Sequence, residues 1–208
     1  METQKSPQEC AEVLYEDDAL LVCVKPRGVL SCADASGKRC MNDLLAPRRI
    51  YPVHRLDREV GGLMVFAKTA DAAAFLSGVE LRKEYLAECE GSLPDEGEMV
   101  DLLYHDRVKN KTYVVKRKRG GVKEARLTYR VVGRSDGHTI VRIRLQTGRT
   151  HQIRVQFASR GCPLCGDRKY GAKSGGSIAL TSVFLAFPHP DGKFSEFSLN
   201  EAIGETAG

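Results

Sequence analysis

Residues 139–145 show the clearest alternation of apolar and polar side chains in this 208-residue chain. Successive side chains of a β-strand point to opposite faces, so the alternation places the apolar members of the segment on one face. Arg142 and Arg144 fall on the other face. The apolar members are Val141, Ile143 and Leu145. The pattern predicts a strand with one buried face, and such a strand needs neighbours to satisfy its backbone hydrogen bonds.

Short apolar or alternating runs elsewhere in the chain predict these neighbouring strands. They lie at residues 13–15, 20–24, 63–67, 83–90, 111–115 and 125–132, and an acidic turn joins the first two into a β-hairpin. Three segments favour helices: residues 41–45, residues 69–76 with Thr69 as N-cap, and residues 151–159 with Thr150 as N-cap and Gly161 at the end. Irregular interleaving of many strands with few helices indicates an α+β fold with a mixed, largely antiparallel sheet.

The length of the chain bounds its domain organisation. Domains cluster at about 100–150 residues, although mixed folds often run longer. We expect one continuous domain over residues 13–200, with flexible tails at residues 1–12 and 201–208.

Composition excludes several classes of protein. Apolar residues make up 42% of the chain and charged residues 28%, which is ordinary for a globular protein and argues against disorder throughout. No run reaches the roughly 18–20 apolar residues that span a bilayer, and the first residues lack the form of a signal peptide. We therefore expect a soluble, cytoplasmic protein that has no membrane partner.

Cysteine usage indicates a reducing environment. Disulfide frameworks belong to short secreted chains, and an odd count of seven leaves one cysteine unpaired, so we expect reduced thiols. Cys162 and Cys165 have the CxxC spacing of a redox or zinc half-site, but no second CxxC or histidine pair lies at metal spacing. We therefore expect no metal. The cysteines are Cys10, Cys23, Cys32, Cys40, Cys89, Cys162 and Cys165.

Positive charge is concentrated in one part of the chain. The net charge is +5, and residues 107–130 hold ten lysines or arginines with one acid, Glu124. The densest run, Lys116-Arg117-Lys118-Arg119, precedes Gly120-Gly121, and we expect residues 109–123 to form a hairpin that projects these cations. Such a cluster can bind phosphates and steer an RNA. The alternative is a solvated face that serves solubility, and the composition leaves both open.

Asp57 is the first candidate for chemistry. His54, Arg55 and Arg58 surround it in a loop that Pro52 interrupts and that two glycines follow. Nearby cations lower the pKa of a carboxyl group, and an ionised carboxylate can act as a nucleophile or a base. The alternative is a loop aspartate in a surface ion pair.

The second candidate is the segment at residues 148–154, GRTHQIR, in which a glycine precedes a helix start rich in polar side chains. A helix N-terminus suits phosphate, and an arginine fork suits a carboxylate. The alternative is a capped amphipathic helix with an exposed cationic face.

Taken together, the two candidate segments resemble one known family. HRLDREVGGL at residues 54–63, ending in AKT at 67–69, resembles the HRLDxxTSGLLxxAKT signature of RluA-family RNA pseudouridine synthases. GRTHQIRV at residues 148–155, followed by GCPLCGDRKYG at 161–171, is similar to that family's GRTHQIRVH and GHPIxGDxxYG block. Shorter elements match in the family's order, so the resemblance covers about residues 13–199. These elements are KPRG at 25–28, KEYLA at 83–87 and FPHP at 187–190.

The resemblance implies roles for particular residues. Asp57 is implied as the catalytic aspartate, Tyr85 as the aromatic residue packed on the target base, and Arg154 as the ion-pair partner of the aspartate. The implied enzyme needs no cofactor, has the pseudouridine synthase fold with a catalytic cleft, and acts on structured ribosomal or transfer RNA. The expected substrate-binding residues are His54, Arg55, Arg149, His151, Gln152, Leu180, Lys116, Arg117, Lys118 and Arg119.

Few residues precede the first predicted strand, so we expect no N-terminal RNA-binding domain of the kind that many relatives carry. We also expect a monomer.

The sequence departs from the family pattern at several positions. Val60 and Gly61 stand where the family usually has Thr-Ser, Thr181 stands where many relatives have histidine, and Cys162 replaces a usual histidine. None of these is one of the three implied catalytic positions, so we expect activity. We expect these departures to change the choice of target RNA or the packing of the cleft.

Two other functions remain open at the level of sequence. One is an RNA-binding module without catalysis, which the presence of all three implied catalytic residues argues against. The other is a hydrolase that uses Asp57 with His54 or His151, although no serine-centred elbow or paired carboxylate motif supports it.

Overall fold

The computed structural model describes residues 11–199, which form two compact units. One unit contains residues 11–83 and 182–199, and the other contains residues 84–181. The tails predicted at residues 1–12 and 201–208 lie outside the described residues except at Ala11 and Glu12, and the first strand begins at Glu12, one residue before the predicted domain.

Eleven strands and three α-helices make up the described chain. In order they are β1 (Glu12–Glu16), β2 (Leu20–Lys25), α1 (Met41–Leu45), β3 (Tyr51–Pro52), β4 (Gly61–Ala67), α2 (Ala70–Gly78), β5 (Arg82–Glu90), β6 (Glu96–Asp106), β7 (Lys111–Val115), β8 (Val122–Ser135), β9 (His138–Leu145), α3 (Gln152–Ala158), β10 (Leu180–Pro188) and β11 (Phe194–Ser198). A short 3-10 helix at Arg168–Tyr170 follows α3. Within the described residues, no helix has the length and apolar character needed to cross a membrane.

The first unit is built on strands in the order β1, β2, β4 and β10, with β3 on β4 and β11 on β10. The pairs β1/β2, β2/β4, β3/β4 and β10/β11 are antiparallel. Every residue of β4 is buried, and α2 packs Ala72 and Leu76 against this sheet. The core cluster consists of Leu20, Val22, Leu63, Val65, Ala67, Ala72, Leu76, Leu185 and Phe187.

The second unit arranges its strands in the order β5, β9, β8, β6 and β7. The pairs β8/β9, β6/β8 and β6/β7 are antiparallel, and a bulge interrupts β8 between Val131 and Gly133. Helix α3 buries Phe157, whose ring lies edge-on to the ring of Tyr129 with 5.7 Å between centroids. This helix carries the residues of the second sequence motif.

Local patterns predicted most of these elements. The α+β fold with a mixed sheet and few helices is confirmed, as is the hairpin of β1 and β2. Thr69 caps α2 as predicted, since its side chain accepts a hydrogen bond from the Ala72 amide at 3.1 Å. The predicted face of β9 is confirmed at Val141 and Ile143, which are fully buried.

The start of α3 differs from the prediction. The helix begins at Gln152, and His151 is its N-cap residue in a left-handed conformation with φ of 54°, while Thr150 does not cap the helix. The His151 carbonyl accepts the Val155 amide at 3.0 Å, so the first helical turn is closed one residue later than expected. A hydrogen bond between the His151 ring and Tyr170 accompanies this uncommon conformation.

The predicted basic hairpin at residues 109–123 is wrong. Strand β6 lies between β7 and β8 and pairs with both, so residues 116–121 cross from one side of β6 to the other. The sequence concealed β6 because Asp101 stands between the buried Met99 and Leu103, where alternation requires an apolar residue. The Asp101 carboxylate is satisfied by the side chain of Gln156 at 2.7 Å.

Candidate active site

Asp57 lies in the loop between β3 and β4 and is half-buried. Its carbonyl oxygen accepts the Val60 amide at 3.0 Å, which closes a turn directly after the aspartate. Gly62 then has a φ of +113°, and a side chain on it would meet the backbone of Ser182 at 2.2 Å. The glycine that follows the motif is therefore required for the loop to enter β4.

Ser31 fixes the residue that precedes Asp57. The buried Ser31 hydroxyl donates to the carbonyl oxygen of Leu56 at 2.8 Å and accepts from the amide of Leu56 at 2.9 Å. One side chain thus satisfies both backbone groups of a buried residue. Sequence reasoning missed Ser31, because nothing in its local pattern points to residue 56.

Lys25 fixes the residue that follows Asp57. Its side chain is fully buried at the end of β2, and its ammonium donates to the carbonyl oxygens of Pro26 at 2.9 Å, Val29 at 2.7 Å and Arg58 at 3.2 Å. Burial lowers the pKa of Lys25 to about 8, and the carboxylates on either side of Arg58 partly oppose that change. The KPxG element was matched to the family, but no role for its lysine was predicted.

His54 is tied to β4 in the same unit. Its Nε2 accepts the Val65 amide at 3.1 Å, so the ring carries its proton on Nδ1, which is buried with no hydrogen-bond partner in the described part of the chain. Burial, with a smaller contribution from Lys83, lowers the pKa of His54 to about 3. The imidazole is therefore neutral at physiological pH. Arg55, by contrast, is exposed.

Arg154 lies in α3 of the second unit and is almost fully buried. Its guanidinium forms a two-point ion pair with Asp167, at 2.6 Å and 2.8 Å, and lies over the ring of Tyr170. Only 6% of the Arg154 side chain and 1% of the Asp167 side chain are exposed. A buried charge needs such a partner, so Asp167 fixes the arginine in place. Sequence reasoning missed Asp167, although it belongs to the matched GDxxYG element.

Tyr170 links the two motifs of the second unit. Its hydroxyl accepts the Thr112 amide at 2.8 Å and lies 2.9 Å from Nδ1 of His151. Burial raises the pKa of Tyr170, so the hydroxyl keeps its proton and can donate it to that nitrogen. His151 is held inside this network.

Gln152 and Arg149 differ in their surroundings. The Gln152 side-chain oxygen accepts from the Arg149 amide at 3.0 Å and from the Thr147 hydroxyl at 2.8 Å, while its nitrogen donates to the Arg126 carbonyl at 3.1 Å. The Gln152 amide group is therefore used within the protein. The Arg149 side chain is exposed, and its Nε donates to the Glu124 carbonyl at 2.9 Å.

Two buried candidates and the basic run complete the predicted set. Tyr85 on β5 and Leu180 at the start of β10 are both buried. All four cations of residues 116–119 are exposed, and the guanidinium of Arg119 lies 5.0 Å from the centre of the Tyr104 ring. The basic run is therefore an exposed loop that rests partly on β6.

The structure thus groups the predicted residues within each unit. Asp57, His54 and Arg55 share one loop of the first unit, and Arg149, His151, Gln152 and Arg154 follow one another at the start of α3 in the second. The pairing of Asp57 with Arg154 stays a prediction.

Comparison with known proteins gives a consistent result. The sequence model of the RNA pseudouridylate synthase family matches residues 19–159. A ribosomal large subunit pseudouridine synthase D of Yersinia pestis is 34% identical over 198 residues, covering 87% of this chain and 59% of the relative. The protein of that name from Xanthomonas campestris pv. campestris is 36% identical over 187 residues, covering 82% of this chain and 55% of the relative.

Solved structures support the same fold. Human RNA pseudouridylate synthase domain containing 1 superposes with a TM-score of 0.76 at 21% sequence identity, covering 95% of this chain and 86% of that one. The chain spans less than two thirds of the length of the two curated relatives. The family match covers more than half of the chain and contains both Asp57 and Arg154, so the chain belongs to the RNA pseudouridylate synthase family.

Proposed function

We propose that the chain converts selected uridines of ribosomal or transfer RNA into pseudouridine, with Asp57 as its essential carboxylate and no cofactor. The proposal rests on the hydrogen bonds that fix the backbone on both sides of Asp57. The Ser31 side chain bonds to Leu56, and the Lys25 side chain bonds to Arg58. A reacting group gains most from a backbone that stays in place when the substrate binds.

The reaction breaks the bond between uracil and ribose, rotates the base and joins its carbon 5 to the sugar. Three routes are compatible with one ionised carboxylate: attack of Asp57 on ribose carbon 1′, addition to the uracil ring, or removal of a proton from the sugar to give a glycal. In each route Arg154 keeps the carboxylate charged and aimed, and Asp167 holds Arg154 in turn. Tyr85 offers a face for the detached base and a hydroxyl that can exchange protons.

The RNA is bound through exposed cations and read at the base by buried groups. Extrusion of the uridine from a folded RNA costs a few kcal/mol, which phosphate contacts on both sides of the target offset. Arg55, Arg149 and the basic run at residues 116–119 are exposed and suited to phosphates. His54, His151, Gln152 and Leu180 are more enclosed, and we assign them to shaping the pocket for the base.

The names of the curated relatives support ribosomal RNA as the first substrate to test. An enzyme acting on ribosomal or transfer RNA is compatible with a cytoplasmic location. We also keep the monomer as our proposal.

Release of tritium from RNA labelled at carbon 5 of uridine tests the proposal, because only a synthase exchanges that hydrogen. Asp57→Asn should abolish release and leave RNA affinity close to that of the wild type, since the aspartate contributes charge only to chemistry. Asp71→Asn is the matched control, because Asp71 is an exposed carboxylate in the first turn of α2.

The same assay separates the alternatives. RNA binding without tritium release by the wild type would favour a non-catalytic RNA-binding module, and cleavage of the RNA would favour a hydrolase. Release by Asp57→Asn near the wild-type rate would refute the assignment of Asp57.

A further inference from the structure

A group of metal-ligating side chains lies in the second unit and has no part in the proposed reaction. Glu88 on β5, His138 at the start of β9 and Cys165 after α3 place one ligand atom each within 4.8 Å of one another. Zinc in proteins is bound by thiolate, imidazole and carboxylate at about 2.0–2.3 Å, which puts its ligands about 3.3–3.8 Å apart. The separations between the ligand atoms therefore need to shorten by about 1.5 Å at most for the three atoms to bind one ion.

We propose that Glu88, His138 and Cys165 form a zinc-binding site. The ion takes one thiolate, one imidazole nitrogen and one carboxylate oxygen, and its fourth position is open to water. The site does not depend on the proposed synthase activity.

The backbone fixes the three ligands relative to one another. The Cys165 amide donates to the Glu88 carbonyl at 2.9 Å, and the Ala179 amide donates to the Cys165 carbonyl at 2.9 Å. Gly166 follows with a φ of +77°, and a side chain there would lie 2.3 Å from the Ser177 carbonyl oxygen. Cys165 is thus held beside β5 by a turn that only glycine allows.

His138 is placed by the hairpin between β8 and β9. Asp136 and Gly137 have left-handed backbone conformations, which makes this turn tight, and the Gly137 carbonyl accepts the Gly91 amide at 2.8 Å. The His138 Nδ1 lies 2.8 Å from a Glu88 carboxylate oxygen. Two of the three ligands are therefore in contact before any ion binds.

The charges of the site suit a divalent cation. One carboxylate and one thiolate carry two negative charges, which zinc neutralises, while the histidine contributes a neutral nitrogen. Binding of the metal releases the thiol proton of Cys165 to solvent.

The three ligand side chains differ in their exposure to solvent. The side chains of His138 and Glu88 are 37% and 30% exposed, whereas Cys165 is buried behind them. Two of the three ligands are therefore in contact with solvent, from which an ion can bind.

Neighbouring groups are engaged elsewhere, which defines the ligand set. The Cys162 thiol donates to the Ser92 carbonyl, and the Cys89 thiol donates to the Thr139 carbonyl. Glu90 accepts from the backbone amides of residues 173 and 174. The site therefore uses only the second cysteine of the CxxC pair, and the fold supplies the partners that sequence spacing did not.

Cobalt titration of the full chain, under a non-chelating phosphine reductant, tests the site without RNA or turnover. We expect one cobalt ion per chain, with a thiolate charge-transfer band and the intense visible bands of a four-coordinate ion. Competition with a chromophoric chelator then gives the zinc affinity. Cys165→Ser should abolish the charge-transfer band, and Glu88→Gln and His138→Gln should each weaken zinc binding at least about 10-fold.

Cys162→Ser is the matched control and should keep both the band and the affinity. Glu88 and His138 are partly exposed, so their variants are expected to fold and to test the site even if Cys165→Ser does not. Absence of the band at saturating cobalt, its survival in Cys165→Ser, or its loss in Cys162→Ser would each overturn the proposed ligand set.

Discussion

Replacing Ser31 with alanine tests whether the position of Asp57 depends on the segment after β2. The substitution removes the two hydrogen bonds between the buried hydroxyl and Leu56 and leaves that residue's amide and carbonyl without partners. A buried polar group without a partner costs about 1–3 kcal/mol. The free energy of unfolding should therefore fall by about 2–6 kcal/mol if the loop keeps its position.

The loop can reduce this cost by moving the Leu56 backbone toward water, but the movement displaces Asp57. A displacement of about 1 Å near a reacting group can lower the rate about 100-fold. We therefore expect Ser31→Ala to lose mainly stability if the loop keeps its position, and mainly catalytic rate if the loop moves. An intermediate displacement of the loop should lower both. RNA affinity should change little, because it rests mainly on phosphate contacts.

Two measurements on the same variant decide the matter. Urea unfolding followed by circular dichroism gives the stability, and single-turnover tritium release at saturating protein gives the rate. Ser36→Ala is the control, because its exposed hydroxyl bonds to Asp34 in the same segment and not to the Asp57 loop. If Ser31→Ala matched the wild type in both measurements, the hydroxyl would not hold the loop.

Three further predictions concern other parts of the site. The pKa of His54 is about 3 in the fold and 6.5 in a model peptide, so its contribution to stability is complete above about pH 6.5 and is lost as the pH falls toward 3. Unfolding measured across that range should show a slope of up to about 1.4 kcal/mol per pH unit that His54→Gln removes. Asp167→Asn removes the two-point ion pair of the buried Arg154 and should cost about 3–5 kcal/mol in thermal unfolding, and a wild-type melting temperature would contradict this. Neutralising residues 116–119 should flatten the salt dependence of RNA binding by up to about 0.7–0.9 log units per lost phosphate contact, whereas an unchanged slope would identify a solvated loop.

Elements with local signals could be predicted from the sequence. Thr69 caps α2 because its hydroxyl reaches an amide three residues on, and β9 alternates because one of its faces is buried. Strand β6 could not be predicted, because the side chains that satisfy Asp101 on its buried face, Gln156 and Arg160, lie far along the chain. The wrong prediction of a basic hairpin has the same cause, because the unpredicted strand β6 lies between β7 and β8.

Some residues of the candidate site could be predicted from the sequence and others could not. Long motifs pointed to Asp57 and Arg154, because a family resemblance carries roles that spacing does not. Ser31 and Lys25 reach the Asp57 loop across 25 and 33 residues of sequence, and no periodicity predicts such contacts. Their role became visible only when the fold had brought the segments together.

The two motifs are supported by buried cations of different chemistry. Lys25 offers three donors to three carbonyl oxygens and forms no ion pair with a carboxylate among residues 11–199. Burial therefore outweighs the opposing charges of Asp57 and Glu59, and the pKa of Lys25 falls to about 8. Arg154 is matched by the two-point ion pair with Asp167, and a guanidinium keeps its charge at any pH that a protein survives. Above about pH 8 the amine of Lys25 keeps two N–H donors for three carbonyl oxygens. The loop of Asp57 therefore depends on a lysine ammonium that can lose its proton, whereas the position of Arg154 depends on an ion pair whose guanidinium keeps its proton.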